Sequence, residues 1–220
     1  LRTPITSIKG FVETLRDTGA DDPEQASRFL DIISRQTDRL NSIINDLLTL
    51  SDLEQSGRRE IGFEPTNLTS MLRGAVELVQ RKADAVGMSI TLDCDPALTI
   101  TVNSPLMEQA VVNLLDNAAR LSPEHGRIGI QAELAGDEIR IDLCDQGPGI
   151  PEDEREKIFD MFYSVGRGDR DNRVGSGLGL AICRGMIGAH GGQVRALPGE
   201  EGWGTCMRLS LPLASPEATP

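Results

Sequence analysis

Glu138-Ile139-Arg140-Ile141-Asp142-Leu143-Cys144 runs directly into Asp145-Gln146-Gly147-Pro148-Gly149, an apolar strand that ends on a carboxylate and a two-glycine turn. An acidic group held at a strand end sits where ligand sites commonly form, and glycines let a bound group approach the backbone closely. The same five residues also read as a plain strand-end turn with Asp as its first residue. Their neighbours decide between the two. Upstream, Glu108-Gln109-Ala110-Val111-Val112-Asn113-Leu114-Leu115-Asp116-Asn117-Ala118 reads as a helix with Asn113 and Asn117 on one face and apolar residues on the other. Asn113 alone reads as a helix residue facing water. As a pair, the carboxamides offer hard, uncharged oxygens suited to a Mg²⁺ that also takes phosphate oxygens and water. Downstream, Gly175-Ser176-Gly177-Leu178-Gly179-Leu180-Ala181 sets three alternate glycines at a helix start. Free amides and the positive dipole end there make an anion site for phosphates.

Working outward, the chain divides into two unequal parts. Ile5, Ile8, Val12 and Leu15 keep helical spacing until Gly19. Pro23 then opens a second helix whose seam passes through Phe29, Ile33, Gln36, Leu40, Ile43, Leu47 and Leu50. Two helices joined by a short turn form a hairpin, yet Ile32, Ile44 and Leu48 widen its apolar stripe beyond what one hairpin can bury. The expectation is a homodimer that closes a four-helix bundle. Residues 1–57 are assigned to this hairpin, 60–213 to a second domain and 214–220 to a disordered tail. The second domain reads as strand 61–64, helix 68–86, strands 89–94 and 98–102, helix 104–120, strands 127–134 and 138–144, a short helix 152–162, a polar loop 164–176, helix 178–189, and strands 193–197 and 204–211. The fold class is α+β: a helical hairpin followed by an α/β sandwich whose mixed sheet carries helices on one face.

A net charge of −12, without any Lys/Arg run, excludes nucleic acid as a partner. No stretch of about 18 apolar residues occurs, so this fragment is expected to make no membrane contact and to lie in the cytoplasm, whether or not the full protein is anchored. Cys94, Cys144, Cys183 and Cys206 lie far apart with no CxxC pair, and read as reduced, buried thiols. His190 closes a helix before Gly191, where a cation suits the negative dipole end. His125 falls in a turn after Pro123, and Trp203, between Gly202 and Gly204, reads as a packing or hairpin residue. The start at Leu1, inside a helical pattern, suggests a fragment.

In order and spacing, the asparagine helix, the Asp-x-Gly-x-Gly turn, Ile158-Phe159-Asp160-Met161-Phe162-Tyr163 and the glycine cluster resemble the nucleotide pocket shared by histidine kinases, gyrase, Hsp90 and MutL. Phe159, Phe162, the Leu178-to-Ile182 continuation and His190-Gly191-Gly192 resemble the histidine kinase branch in particular. Leu1-Arg2-Thr3-Pro4 resembles the tail of that family's His-Glu-Leu-Arg-Thr-Pro motif, which puts the phosphoacceptor histidine immediately before Leu1. The resemblance covers Leu1 to about Leu213 and implies ATP and Mg²⁺ as cofactors, with a response-regulator receiver domain as partner. Carried onto this sequence, it makes Asn117 the Mg²⁺ ligand with Asn113 assisting, and gives Asp145 the adenine amine. It further makes Gly147 and Gly149 shapers of the adenine pocket, and Gly175, Gly177, Leu178 and Gly179 holders of the phosphates. Thr3 matches a residue that positions water for dephosphorylating the partner. Arg120 stands where relatives commonly have lysine, and Leu121 replaces the aromatic that follows it. Arg167, Arg170 and Arg173 fall in the lid loop; they could reach a triphosphate, Arg167 first, or simply be solvated. Two other readings are a nucleotide-driven ATPase clamp and a non-catalytic ATP-binding regulatory module. Glu108 lies five residues before Asn113, away from where a clamp ATPase places its water-activating glutamate.

Overall fold

The computed structural model describes residues 2–18, 22–55, 62–165 and 177–213. They form two compact units, Leu1–Thr49 and Leu50–Pro220, with the division falling inside the second helix.

In the first unit, α1 (Arg2–Thr18) and α2 (Pro23–Gln55) form the expected helices. Asp22 starts α2 by accepting the Glu24 and Gln25 amides at 3.0 and 3.2 Å, and Pro23 fills the first helical position where no N–H is missed. The contact face of α1 differs from its expected seam. Phe11 is half-buried with its ring 5.2 Å from that of Phe29, whereas Val12 is exposed. Ile43 is the one side chain of this unit buried among those described. Ile5 and Val12, seven residues apart on α1, and Leu30, Ile44 and Leu48, spaced by 14 and 4 on α2, lie on common faces and are all exposed.

The second unit contains β1 (Glu64–Asn67), α3 (Leu68–Ala85), β2 (Ser89–Cys94), β3 (Thr99–Val102), α4 (Ser104–Leu121), β4 (Arg127–Ala135), β5 (Glu138–Asp145), α5 (Gly179–Ala189), β6 (Gln193–Pro198) and β7 (Thr205–Pro212). The large sheet runs β2-β4-β5-β7-β6, with β2 parallel to β4 and the other pairs antiparallel; β1 and β3 form a separate two-stranded ribbon. This is the mixed-sheet α+β fold that the sequence implies. Asn67 and Asn103 cap α3 and α4, accepting the amides of Ser70 and Leu106 at 2.9 and 3.0 Å. Apolar faces of α3, α4 and α5 cover one side of the sheet, burying Leu72, Leu114, Leu115 and Ile182 against Ile128, Ile141 and Leu209.

Side-chain parity along the two central strands separates a covered face from an outer one. On β5 the buried side chains are Ile139, Ile141, Leu143 and Asp145; on β7 they are Thr205, Met207, Leu209 and Leu211. The alternate residues face the other side of the sheet, where Arg208 holds Asp142 through two 2.7 Å hydrogen bonds.

Four expectations are corrected. The first strand is Glu64–Asn67 rather than 61–64; Pro65, which lacks an N–H, sits in a ribbon with one unpaired edge. Residue 61 lies outside the described residues. The helix expected over 152–162 is two short 3₁₀ turns, Glu152–Glu154 and Lys157–Phe159, and Phe162 has φ 64°, which a right-handed helix cannot contain. The cysteines are not four buried thiols. Cys183 is buried and free, and its thiol is pushed up to about 12 by that burial; Cys94 is free and half-buried. Cys144 and Cys206 face each other across β5 and β7 on the outer side of the sheet and are joined in a disulfide, with Cα atoms 4.0 Å apart. Finally, His190 does cap α5, but as a neutral ring. Its Nε2 accepts the Asn103 amide at 3.0 Å, so the proton sits on Nδ1, which donates to the Met186 carbonyl at 2.7 Å. Burial lowers its pKa, with the two backbone contacts opposing.

Candidate functional site

Asp145 occupies a position that the alternation of β5 reserves for an apolar side chain, with Ile128 on one flank and Thr205 on the other. It is 6% exposed, and burial raises its pKa above the ordinary 3.8, partly offset by the Gly147 amide that donates to Oδ1 at 2.7 Å. A carboxylate placed this way is desolvated on one side and has unsatisfied acceptor capacity. It suits a ligand that brings N–H donors, such as an adenine amine.

The turn after Asp145 is pressed between two backbones. A Cβ on Gly147 would meet Asp145 Oδ1 at 2.7 Å and the Leu121 carbonyl, at the end of α4, at 3.4 Å. Gly149 has φ +80°, and a Cβ there would come within 3.2 Å of the Gly204 carbonyl. Gly204 in turn donates its amide to the Asp145 carbonyl at 2.6 Å. Gln146 fastens the same turn from outside: Oε1 accepts the Arg127 amide at 2.9 Å and Nε2 donates to the Gly202 carbonyl at 3.0 Å.

The asparagine face of α4 and the start of α5 meet beside this turn. Asn117 Nδ2 lies 3.8 Å from where a Cβ of Gly179 would stand, which brings the asparagine side chain beside the first residue of α5. Asn117 Oδ1 accepts Arg120 Nη2 at 2.6 Å. Asn113 Nδ2 is buried without a hydrogen-bond partner. An orphaned buried amide donor costs about 1–3 kcal/mol unless a ligand acceptor meets it, and a phosphate oxygen or ordered water is such an acceptor. The residues present therefore fit a magnesium nucleotide. Among the described residues no three His, Cys, Asp or Glu side chains cluster as a metal cage. A cation at Asn117 would accordingly come with phosphate and water ligands of its own.

Phe159 and Phe162 divide in role. Phe159 is buried with the Arg184 guanidinium 4.4 Å from its ring centroid, and Arg184 also reaches Glu156 at 3.1 Å. Phe162 is exposed, and its amide donates to the Gly177 carbonyl at 2.9 Å. Gly177, at φ +71°, stands so close to Phe162 that a Cβ would lie 2.8 Å from the Phe162 Cα. Residues 162 and 177 thus pinch together the two ends of the polar loop. Leu178 is fully buried and begins α5 without a side-chain cap.

Asn113, Asn117, Arg120, Asp145, Gly147, Gly149, Gly177, Leu178 and Gly179 accordingly all lie in the second unit, around the C-terminal half of α4. Gly175, Arg167, Arg170 and Arg173 lie outside the described residues, as does the side chain of Thr3, whose backbone is in α1. Thr205 and Gln146 are additions from the structure. Thr205 is 4% exposed and faces Asp145. The signal in the sequence is thin: a threonine heading an alternating strand after Gly204.

Against known proteins, the family described as histidine kinase-, DNA gyrase B- and HSP90-like ATPase matches residues 101–215, and the His Kinase A (phospho-acceptor) domain matches residues 1–56. The chain belongs to that ATPase family. Together its two matches make it a sensor histidine kinase core. The core is 33% identical to the sensor protein KdpD of Escherichia coli over 96% of its length, and 30% identical to the sensor histidine kinase WalK of Bacillus subtilis, also over 96%. It spans only 23% and 35% of those two relatives. Among solved structures, it aligns with the histidine kinase ThkA in complex with the response regulator TrrA at TM-score 0.79 and 27% identity, covering 97% of this chain and 58% of that one. With full-length ShkA in complex with AMPPNP the TM-score is 0.72 at 29% identity, covering 87% and 39%. No helix of this core, among the described residues, is long and apolar enough to cross a membrane.

Proposed function

We propose that this core binds ATP with Mg²⁺ and transfers the γ-phosphoryl group to a histidine that precedes Leu1, from which it passes to an aspartate of a response-regulator receiver domain. The observation that carries the reading is the desolvated Asp145 carboxyl at the strand end, facing the same side of the sheet as the orphaned Asn113 amide. Asp145 accepts the adenine amine, Gly147 and Gly149 shape the adenine pocket by letting the turn pack against Leu121 and Gly204, and Asn113 and Asn117 present their carboxamides to the phosphates and the cation. Magnesium, when bound, neutralises phosphate charge as the γ-group departs. The α5 amides from Gly179 onward oppose the remaining negative charge, and Arg120 is placed to exchange its bond to Asn117 Oδ1 for one to a phosphate oxygen. Arg167 and Gly175 are assigned to the loop over the triphosphate by resemblance alone, and Thr3 is assigned to regulator dephosphorylation on the same ground.

The hairpin's exposed stripe supports a homodimer. Leu30, Ile44 and Leu48 on α2 of one hairpin would bury against the same residues of a second copy, closing a four-helix bundle. The face near Ile8, Lys9 and Val12 is proposed for regulator docking.

The test adds γ-labelled ATP to this chain carrying His-Glu before Leu1, and to the chain as it stands. Acid-labile label on the extended protein alone is the expected result. Steady ATP turnover without any labelled protein would favour a clamp ATPase; label on the chain as it stands would overturn the assignment, because its acceptor would then be His125 or His190.

A further inference from the structure

The outer face of β5 and β7 holds a group that the phosphotransfer reading does not use. Cys144 directly precedes Asp145 and Cys206 directly follows Thr205, and the two sulfurs join the strands at the end where the nucleotide site is built. Alternation turns the disulfide away from the pocket while its immediate neighbours face into it. Both cysteines are partly exposed. Across β4, Cys144 pairs with Gly129, which offers no side chain. Over that glycine lies the ring of Trp203, the chain's single tryptophan, 3.0 Å from where a Cβ would stand.

We infer that Cys144 and Cys206 form a thiol–disulfide exchange site that sets the core's affinity for ATP, the closed disulfide being the tight-binding form. The inference rests on the nucleotide reading of Asp145. An external dithiol is the co-reactant. One of its thiolates attacks a sulfur of the pair, the Cys144–Cys206 bond breaks and a mixed disulfide forms. The second external thiol then resolves it, leaving two protein thiols and an oxidised dithiol, a two-electron exchange with protons conserved.

The coupling is geometric. Directly opposed residues of an antiparallel pair stand about 4.5 Å apart at the closest pair type, whereas the disulfide holds Cys144 and Cys206 at 4.0 Å. Opening it relaxes the strand ends by about half an ångström, at the Asp145–Thr205 pair and at the bond from the Gly204 amide to the Asp145 carbonyl. The Asp145 carboxyl and the Gly147 amide move with that backbone. The loss comes from misplacing an acceptor whose partners on the adenine are fixed by covalent geometry.

The experiment measures ATP binding by calorimetry on the 220-residue chain in two states, oxidised and reduced by dithiothreitol, with the number of free thiols read by alkylation and mass. Trp203 fluorescence follows the reaction, because the indole covers Gly129, the cross-strand partner of Cys144, and a disulfide quenches a nearby indole. The expected result is two thiols freed on reduction, a rise in Trp203 emission, and a Kd for ATP roughly tenfold weaker, half an ångström being taken against about 10²-fold for a full one. The Cys144→Ser/Cys206→Ser variant should bind ATP with the reduced protein's Kd and ignore dithiothreitol. Cys144→Ala/Cys206→Ala guards against a folding defect specific to serine. Equal Kd in both states despite two freed thiols would overturn the exchange site and leave the nucleotide reading standing. So would four free thiols in the oxidant-treated protein, or a shift with dithiothreitol that persists in the double variants. Absence of ATP binding in both states would sink the nucleotide reading and this inference with it.

Discussion

The hairpin and the α/β unit solve the problem of apolar surface in opposite ways. Of the large apolar side chains described on α1 and α2, five are more than 40% exposed and one, Ile43, is buried. In the second unit, Leu72, Leu114, Ile141 and Leu209 are each at 1% exposure or less, and the polar side chains buried beside them include Asp145 and Thr205, the pair at the site. A unit that closes its own core can spend one core position on a carboxylate. In the proposed homodimer a second copy completes the open stripe, so the hairpin should respond to concentration and the α/β unit should not.

The sharpest way to break this contrast is to put charge on the open stripe. Leu30→Glu with Leu48→Glu, placed on one face of α2, should weaken self-association by about 10³-fold or more, because each carboxylate would be buried unpaired at the bundle centre. Analytical ultracentrifugation reads the effect, and the unfolding temperature of the α/β unit should stay unchanged. Persistence of the dimer would show that the stripe is not its interface.

Within the closed unit, His190 offers the next largest effect. His190→Ala removes an acceptor from the Asn103 amide and an edge contact to Phe63, whose ring centroid is 5.2 Å away. The expected cost is roughly 2–3 kcal/mol by chemical denaturation. The sign of the pH dependence follows from the lowered pKa. The folded state keeps the ring neutral, so its contribution is present above the ordinary value of 6.5 and is lost as pH falls from there toward the lower folded value. The variant should lose that part of the acid limb, and a curve parallel to the wild type would contradict the neutral assignment.

On the outer sheet face, Arg208→Met breaks the paired bonds to Asp142. Arg208 is 36% and Asp142 22% exposed, so solvent screening limits the loss to about 0.5–1 kcal/mol, and it should shrink further in high salt. ATP affinity should not change, which would separate this part of the outer face from the strand end at Cys144.

Much of this contrast was legible in the sequence. Ile44 and Leu48 of the expected stripe are exposed, while Ile32 is half-buried, and strand positions were readable because turns of glycine, proline and aspartate bound them. Asn113, Asn117 and Asp145 stood out as candidates because polar residues interrupt apolar periodicity, which is visible locally. What escaped depends on register. Cys144 and Cys206 are 62 residues apart, and nothing in either strand says that they stand opposite one another until β5 and β7 are aligned. Thr205 escaped for the same reason. His190 was placed correctly at a helix end, but its charge state is set by burial, in a tertiary setting that brings up the Asn103 amide from 87 residues earlier. Phe11 exchanged places with Val12 at the hairpin contact because a ring can reach Phe29 where a valine on the expected seam cannot.

If Asp145 gives up fold stability for nucleotide recognition, as proposed, Asp145→Asn tests both halves at once. Burial raises the carboxyl's pKa, so the ionised form weakens the fold at neutral pH, and that penalty disappears as pH falls below the ordinary 3.8. The asparagine keeps an oxygen for the Gly147 amide but presents its own N–H₂ where the adenine amine needs an acceptor. Calorimetry with Mg-ATP, alongside thermal unfolding of the nucleotide-free protein, should show affinity falling by about 10²-fold while the unfolding temperature rises. Unchanged affinity in the variant would contradict the account, whatever happens to its stability.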